Sequence, residues 1–125
     1  MNNKTRSQTL EFVTYWPPEG DINPNHFNMS AFVDGRKVGM AQGWYQPKGD
    51  FTLEKIEVIS EFRSRGYGRQ MISELRAKAR RRECTRFVFH SVHRDNIDAI
   101  RLYKRLGANA SRYAHDRDHY VISPP

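Results

Sequence analysis

The sequence changes period twice between residues 51 and 92, and that change limits the fold more than any other feature. Phe51 to Ile59 (FTLEKIEVI) has the aromatic and β-branched content of a strand. From Gly68 the apolar residues recur at helical spacing, with Met71, Ile72, Leu75 and Ala79 forming one stripe along Tyr67 to Arg82. Arg86 to Val92 (RFVFHSV) then reads as a buried strand. Two strands joined by a helix predict a parallel pair with a right-handed crossover, the helix laying its stripe on the sheet.

The flanking segments extend that unit. Thr9 to Tyr15 reads as a first strand, ended by Trp16-Pro17-Pro18-Glu19-Gly20. The stretch from there to Asn28 reads as loop, with Pro24 suited to one short helical turn. Phe27 to Val33 and Arg36 to Tyr45 predict a hairpin about Asp34-Gly35, and Gln46 to Asp50 turn the chain into the strand at Phe51. Asp95 or Asn96 can cap a second helix, Ile97 to Leu106, whose inward stripe is Ala99, Ile100, Tyr103 and Leu106 and whose stop is Gly107. Ser111 to Ser123 predicts a last hairpin turning at His115 to Asp118. The order β, β, β, β, α, β, α, β, β gives an α+β fold, a mixed antiparallel and parallel sheet of about six or seven strands with two main helices.

A chain of 125 residues is expected to form one domain, residues 1–125, with a core that needs neither disulfide nor structural metal. Hydrophobic residues at 38% and charged ones at 28% describe a soluble protein, and no apolar stretch reaches the roughly 18 residues of a membrane span. No apolar signal region follows Met1 to Arg6, so the cytoplasm is the expected location. Cys84, the only cysteine, excludes an internal disulfide and a zinc cluster and reads as a packed residue at a helix end. His115 and His119 lack a further ligand pattern and read as turn residues, so no metal site is expected.

The net charge of +7 predicts attraction to nucleic acid, an acidic protein surface or a phosphorylated cofactor, without choosing among them. Much of it lies in Arg63, Arg65, Arg69, Arg76, Lys78, Arg80, Arg81, Arg82 and Arg86, which can form a solvated helix face or a docking surface. The loop Arg63-Ser64-Arg65-Gly66-Tyr67-Gly68 stands between the strand and the first helix. A glycine loop there can be a plain turn, or it can aim first-turn N–H groups and a helix dipole at an anion, with arginines adding charge-assisted hydrogen bonds.

Two separated segments resemble the GNAT superfamily of acyl-CoA-dependent N-acyltransferases. Leu53 to Gly68 (LEKIEVISEFRSRGYG) is similar to the family's strand-loop-helix signature ending in Arg/Gln-x-x-Gly-x-Gly/Ala, and Asn96 to Gly107 (NIDAIRLYKRLG) is similar to its Asn-x-x-Ala-x-x-Leu-Tyr-x-x-Leu-Gly segment. The resemblance spans Phe51 to about Gly107. It implies a sheet splayed at a bulge between the strands Phe51 to Ile59 and Arg86 to Val92, with acetyl-CoA as co-substrate in the gap. Main-chain groups of Ile56 to Val58 would pair with the pantetheine arm, as an added strand would. Arg63, Arg65, Gly66, Tyr67, Gly68 and Arg69 would hold the pyrophosphate, and Asn96 the cofactor arm, beside its plain reading as a helix cap.

The resemblance also assigns chemistry. An alkyl ammonium must lose a proton before it attacks, so a carboxylate serves as general base, with Glu54 and Glu57 as candidates and Glu54 matching the family position. Strand alternation puts the two on opposite faces unless a bulge intervenes. Tyr103 matches the usual general acid, and the backbone N–H of Val58 would meet the oxyanion. His90 and His93 flank the splayed strand and read as structural or solvated.

The family's two helices between its first strands have too little room here, since Trp16 to His26 is short and rich in Pro, Asn and Asp. The acceptor side is then expected to be open, or completed by a partner subunit in a homodimer, with Trp16, Trp44 and Tyr45 as candidate walls. An open site suits an amine on a protein, a lysine or an N-terminus. The alternative is a binding module that keeps the fold for nucleic acid or an acidic protein, with vestigial catalysis; a third combines the two, acetylating an RNA-bound or aminoacylated RNA substrate.

Overall fold

The computed structural model describes residues 9–17 and 25–125. The chain forms β1 (Glu11–Tyr15), β2 (His26–Val33), β3 (Arg36–Tyr45), β4 (Asp50–Val58), α1 (Tyr67–Arg81), β5 (Arg86–His93), α2 (Ile97–Arg105), β6 (Asn109–Ala114) and β7 (Arg117–Ile122). A short 3-10 turn, Ser60–Phe62, leads from β4 into the glycine loop. The strands make one seven-stranded sheet in the order β1-β2-β3-β4-β5-β7-β6. Only β4 and β5 are parallel; the other pairs are antiparallel.

Local chemistry explains most junctions. Asp34 and Gly35 both have positive φ, 50° and 78°, as the tight turn of a two-residue hairpin requires. Asn96 caps α2 by accepting the Ala99 N–H at 3.3 Å, and Gly107 ends the helix at φ 97°. The parallel β4-α1-β5 unit is the crossover that the change of period predicts.

Both helices lie on one face of the sheet. Cross-strand partners share a face, and Phe27, Gly43 and Leu53 are aligned across β2, β3 and β4, with Leu53 opposite Phe89 of β5. α1 buries Met71, Ile72, Leu75 and Ala79 on this face, and a Cβ at Gly39 would stand 2.9 Å from the Met71 sulfur. α2 stacks Tyr103 flat on Phe89, ring centroids 3.8 Å apart and 15° from parallel. Phe27, Phe51 and Phe87 continue the stack through the sheet centre. Leu75 is fully buried in this layer, and truncating such a side chain to alanine typically costs about 2–5 kcal/mol.

The ends of some elements differ from expectation. β1 begins at Glu11 rather than Thr9, β2 at His26, and the last hairpin turns at His115 and Asp116 alone, because β7 already pairs from Arg117. The helical turn expected at Pro24 lies outside the described residues. Cys84 is buried with its sulfur 3.6 Å from the Gln46 carbonyl, and burial pushes its thiol pKa up, against a nucleophilic role. No described helix is long and apolar enough to cross a membrane.

Candidate active site

The site forms where β4 and β5 part. They pair only from Asp50↔Arg86 to Leu53↔Phe89, and each strand carries an extra residue just past that last pair. On β4 the register against β3 jumps from Gly43↔Leu53 to Gln42↔Lys55, leaving Glu54 as the bulged residue. A Cβ at Gly43 would run into the Thr52 carbonyl oxygen, so glycine is what the bulge allows there. On β5 the pairing jumps from Phe89↔Tyr120 to Val92↔Asp118, and Ser91 takes a φ of 53°. Two bulges at one level turn the strands apart.

The split exposes main chain inside the sheet. The Ile59 N–H bonds the Val38 carbonyl of β3, so alternation turns the main-chain groups of Val58 and Ile56 the other way, into the gap that β5 has left. The Val58 carbonyl is taken by Arg63 Nε at 3.0 Å, which ties the loop to the strand end. An extended amide-containing ligand can use the remainder as a new strand would.

At the helix-side mouth, Gly66 precedes α1 with φ 81°, a conformation that favours glycine, and no side chain caps the helix. Gly68 is different. A Cβ there would merely touch Val58 at 3.9 Å, so the protein's own packing does not demand glycine; the cleft that Gly68 lines is where a side chain would intrude. A bare helix start, exposed strand amides and a wall without side chains fit a diphosphate on an amide-bearing arm.

That cleft, about 430 Å³, is lined by Ile56, Val58, Arg63, Gly68, Asn96 and Tyr103 among others. A second cleft opens on the opposite face between Leu53 to Ile56 and Phe89 to His93, and Ile56, Asn96 and Tyr103 line both. The two clefts therefore adjoin at the split between β4 and β5. Tyr103 stands at the join, and burial raises its phenol pKa, so it holds its proton at neutral pH.

The far mouth is built of carboxylate and rings. Glu54 lines it and accepts from Gln42 Nε2 at 3.3 Å, so the bulge brings Glu54 to the same side as Glu57. Glu57 is exposed farther along β4 and lines neither cleft. Trp44 stacks on His26 and meets His90 edge-on at 5.2 Å, and His90 contacts Tyr113 and His119 in turn. His119 also repairs the β5 bulge. Its Nδ1 accepts the Ser91 N–H at 3.0 Å, while Arg117 bonds the Ser91 carbonyl at 3.3 Å. Burial, then the nearby His90 and Arg86, lower the His119 pKa, which keeps that nitrogen free to accept.

Several candidate residues stand elsewhere. Arg65 lies over the Phe62 ring and reaches the Glu61 carbonyl, the Tyr67 side chain is in the core, and Arg69 lines a neighbouring groove. Trp16 and Tyr45 pack on the helix side, where Arg82 lies 3.9 Å over the Trp16 ring; of the three expected walls none lines the far mouth, and Trp44 only packs on its His90 while lining a separate cavity with Gln46, Asp50 and Thr52. His93 is a clamp, its Nδ1 accepting the Asp95 N–H at 3.1 Å and its Nε2 3.0 Å from Asp116. Among the described residues no group of His, Cys, Asp or Glu could hold a metal. The arginine run is largely spent inside the protein: Lys78 and Arg81 pair with Glu74, Arg80 with the Pro125 carbonyl, and Arg86 bidentately with Asp50, whose carboxyl it holds below the usual range.

The sequence reading missed Ser91, Arg117 and the role of His119. A signal existed in the spacing: buried Phe87 and Phe89 are followed by Val92, which breaks a period of two as Leu53 and Ile56 do on β4.

The acetyltransferase (GNAT) family model matches residues 3–108. The chain belongs to that family, whose members are acetyl-CoA-dependent N-acyltransferases. Among solved structures, the PaiA N-acetyltransferase of Thermoplasma acidophilum, in complex with coenzyme A, is 15% identical, with a TM-score of 0.73 over 81% of this chain and 62% of its own. A GNAT family acetyltransferase from Elizabethkingia anophelis with acetyl-CoA bound is 12% identical, with a TM-score of 0.73 over 90% of this chain and 97% of its own. The ribosomal-protein-S18-alanine N-acetyltransferase of Escherichia coli is 22% identical, with a TM-score of 0.66 over 78% and 66%. At these identities the likeness is one of fold, and this chain spans 62% of the length of the first neighbour. No curated protein sequence matches the chain significantly.

Proposed function

We propose that the protein transfers an acetyl group from acetyl-CoA to an amine carried by a protein, a lysine side chain or an N-terminus. The observation that carries this reading is the pair of clefts that adjoin at the split, one lined by the end of β4 and the glycine loop and the other by the Glu54 carboxylate, with Tyr103 lining both. Acetyl-CoA supplies the thioester, whose carbon–sulfur bond breaks as the new carbon–nitrogen bond forms.

The residues divide the work by position. Ile56 and Val58 orient the donor through their main chain, Asn96 lines its path, and the loop ending at Gly68 with the start of α1 meets its diphosphate; Arg63 closes the loop onto β4. Glu54 takes the proton of the incoming ammonium, directly or through water, from the sheet's far side. The Val58 N–H, turned into the split, stabilises negative charge on the carbonyl oxygen. Tyr103 returns a proton to the departing sulfur. A protein acceptor is supported by a fold neighbour that acts on a ribosomal protein. The cytoplasm is the location in which such a substrate would be met.

Acetyl-CoA should raise the melting temperature by binding the native state, and mass spectrometry of a lysate treated with the enzyme should show new acetylated amines. No shift at millimolar acetyl-CoA would sink the proposal.

A further inference from the structure

The far mouth carries more positive than negative charge. Its cavity, about 240 Å³, lies between the two arms of the split, with Glu54 and Lys55 of β4 on one side and His90, Ser91 and His93 of β5 with Arg117 of β7 on the other. The β4 bulge puts Glu54 and Lys55 on the same face, since Glu54 accepts from Gln42 Nε2 and Lys55 is the residue paired with Gln42. Lys55 is exposed, and its ammonium has neither an ion pair nor a hydrogen bond among the described residues. Arg117 is tied to the other arm by its Nη1, which bonds the Ser91 carbonyl at 3.3 Å, while its Nη2 has no partner among the described residues. Of the nearby carboxylates, Asp116 is 3.0 Å from His93 and 3.9 Å from Arg117 Nε, and neither Asp116 nor Glu57 lines the cavity. Two cations and one carboxylate therefore line it.

Resting on the proposed acetyl transfer, we infer that this cleft selects an amine with a carboxylate beside it, the chemistry of a protein N-terminus that begins with aspartate or glutamate. The ammonium of such an acceptor goes to Glu54, which takes its proton, and its carboxylate goes to Lys55 and Arg117 in charge-assisted hydrogen bonds. A lysine side chain brings only positive charge into a cleft whose fixed groups are already net positive, and that repulsion counts against it. An acidic first residue carries both signs a few bonds apart, so each of its charges meets an opposite one. A free amino acid offers the same pair of groups from another source.

Initial rates on four acceptors decide the matter: a peptide beginning with aspartate, the same peptide beginning with asparagine, a peptide with a blocked N-terminus whose one amine is a lysine, and free aspartate. The wild type should show a kcat/KM roughly tenfold or more higher for the aspartate peptide than for the asparagine peptide, with the blocked lysine peptide poorer still. Lys55→Gln should bring the aspartate-to-asparagine ratio down toward one and Lys55→Glu should invert it, a dependence on charge that a packing role would not produce. Arg117→Gln should narrow the ratio as well; should it fail to fold for want of the Ser91 contact, the exposed Lys55 carries the comparison alone. Preference for free aspartate over every peptide supports the carboxylate recognition and replaces the protein by the free amino acid as its source. Equal rates on the aspartate and asparagine peptides, or the highest rate on the blocked lysine peptide, overturn the inference and leave acetyl transfer intact. Acetylation of none of the four overturns the inference alone if acetyl-CoA still raises the melting temperature, and overturns both readings if it does not.

Discussion

The two mouths of the split sheet are made in different ways. The helix-side mouth comes from two short stretches, residues 63–68 and 96–103, with the end of β4; its key features are a positive φ at Gly66, an uncapped helix start and the cap at Asn96. The far mouth is gathered from distant strands: Glu54 of β4, His90 and Ser91 of β5 and Arg117 of β7 line it, with Trp44 of β3, Tyr113 of β6 and His119 of β7 packed on His90. Local backbone rules fix the first. Register fixes the second, and a one-residue change of register moves every side chain beyond it to the other face. The mouth proposed for the donor therefore rests on local backbone geometry, and the one proposed for the acceptor on how distant strands pair.

The contrast can be broken most severely at Gly68. Gly68→Asp should abolish acetyl-CoA binding, at least about 100-fold in Kd, by placing a carboxylate against the diphosphate. The fold should survive, because a Cβ there meets only Val58 at 3.9 Å and φ is not in the left-handed region. Circular dichroism with calorimetry checks both halves; a folded variant that keeps its affinity would remove the donor from this mouth. Gly66 is the poorer target, since its φ of 81° strains any replacement.

Tyr103→Phe sits at the join and should separate the two mouths. Loss of the hydroxyl should lower kcat by about 10- to 100-fold with Kd for acetyl-CoA changed less than about threefold, as expected for a proton donor whose ring still packs on Phe89. Equal losses in both would give Tyr103 a packing role alone. On the far side, Glu54→Gln should cost about tenfold in kcat/KM at neutral pH and recover as rising pH deprotonates the amine itself. Glu57→Gln should be near wild type. A reversal of that order would mean that the base lies farther along β4 than the cleft does.

How much of this could be read in advance follows the same division. The βαβ unit, the Asp34-Gly35 hairpin and the stop at Gly107 all obey local rules, and each is where the residues place it. The bulges are half visible: apolar residues at 51, 53, 56 and 58 skip a beat, although it is the bulge implied by the family resemblance, not this spacing, that leaves the parity of Glu54 and Glu57 open in the sequence. Trp16, Trp44 and Tyr45 are all large aromatics, yet alternation along β3 sends Trp44 and Tyr45 to opposite faces, and Trp16, just past the end of β1, packs on Tyr45. Ser91 carries no glycine to betray its φ of 53°, and its partner His119 is 28 residues away. No pattern in a single stretch could connect them.

His119 offers the finest test, because it links a register feature to pH. Burial lowers its folded pKa below the 6.5 of an ordinary imidazole, so near and below that value the unfolded chain binds more protons than the folded one. Its contribution to stability is then fully present above about pH 6.5. It is lost as pH falls toward the depressed folded value, where a protonated Nδ1 would face the Ser91 N–H donor to donor. Thermal melts from pH 8 to 5 should show His119→Asn losing less stability on acidification than the wild type. Asn offers a carbonyl that can accept the same N–H without titrating. The effect is small, since the ring is only part-buried and water screens its neighbours, but its sign is fixed. A variant with the same or a steeper acid dependence would show that the bulge on β5 holds its shape without this imidazole, leaving the two arms of the split more alike than their hydrogen bonds suggest.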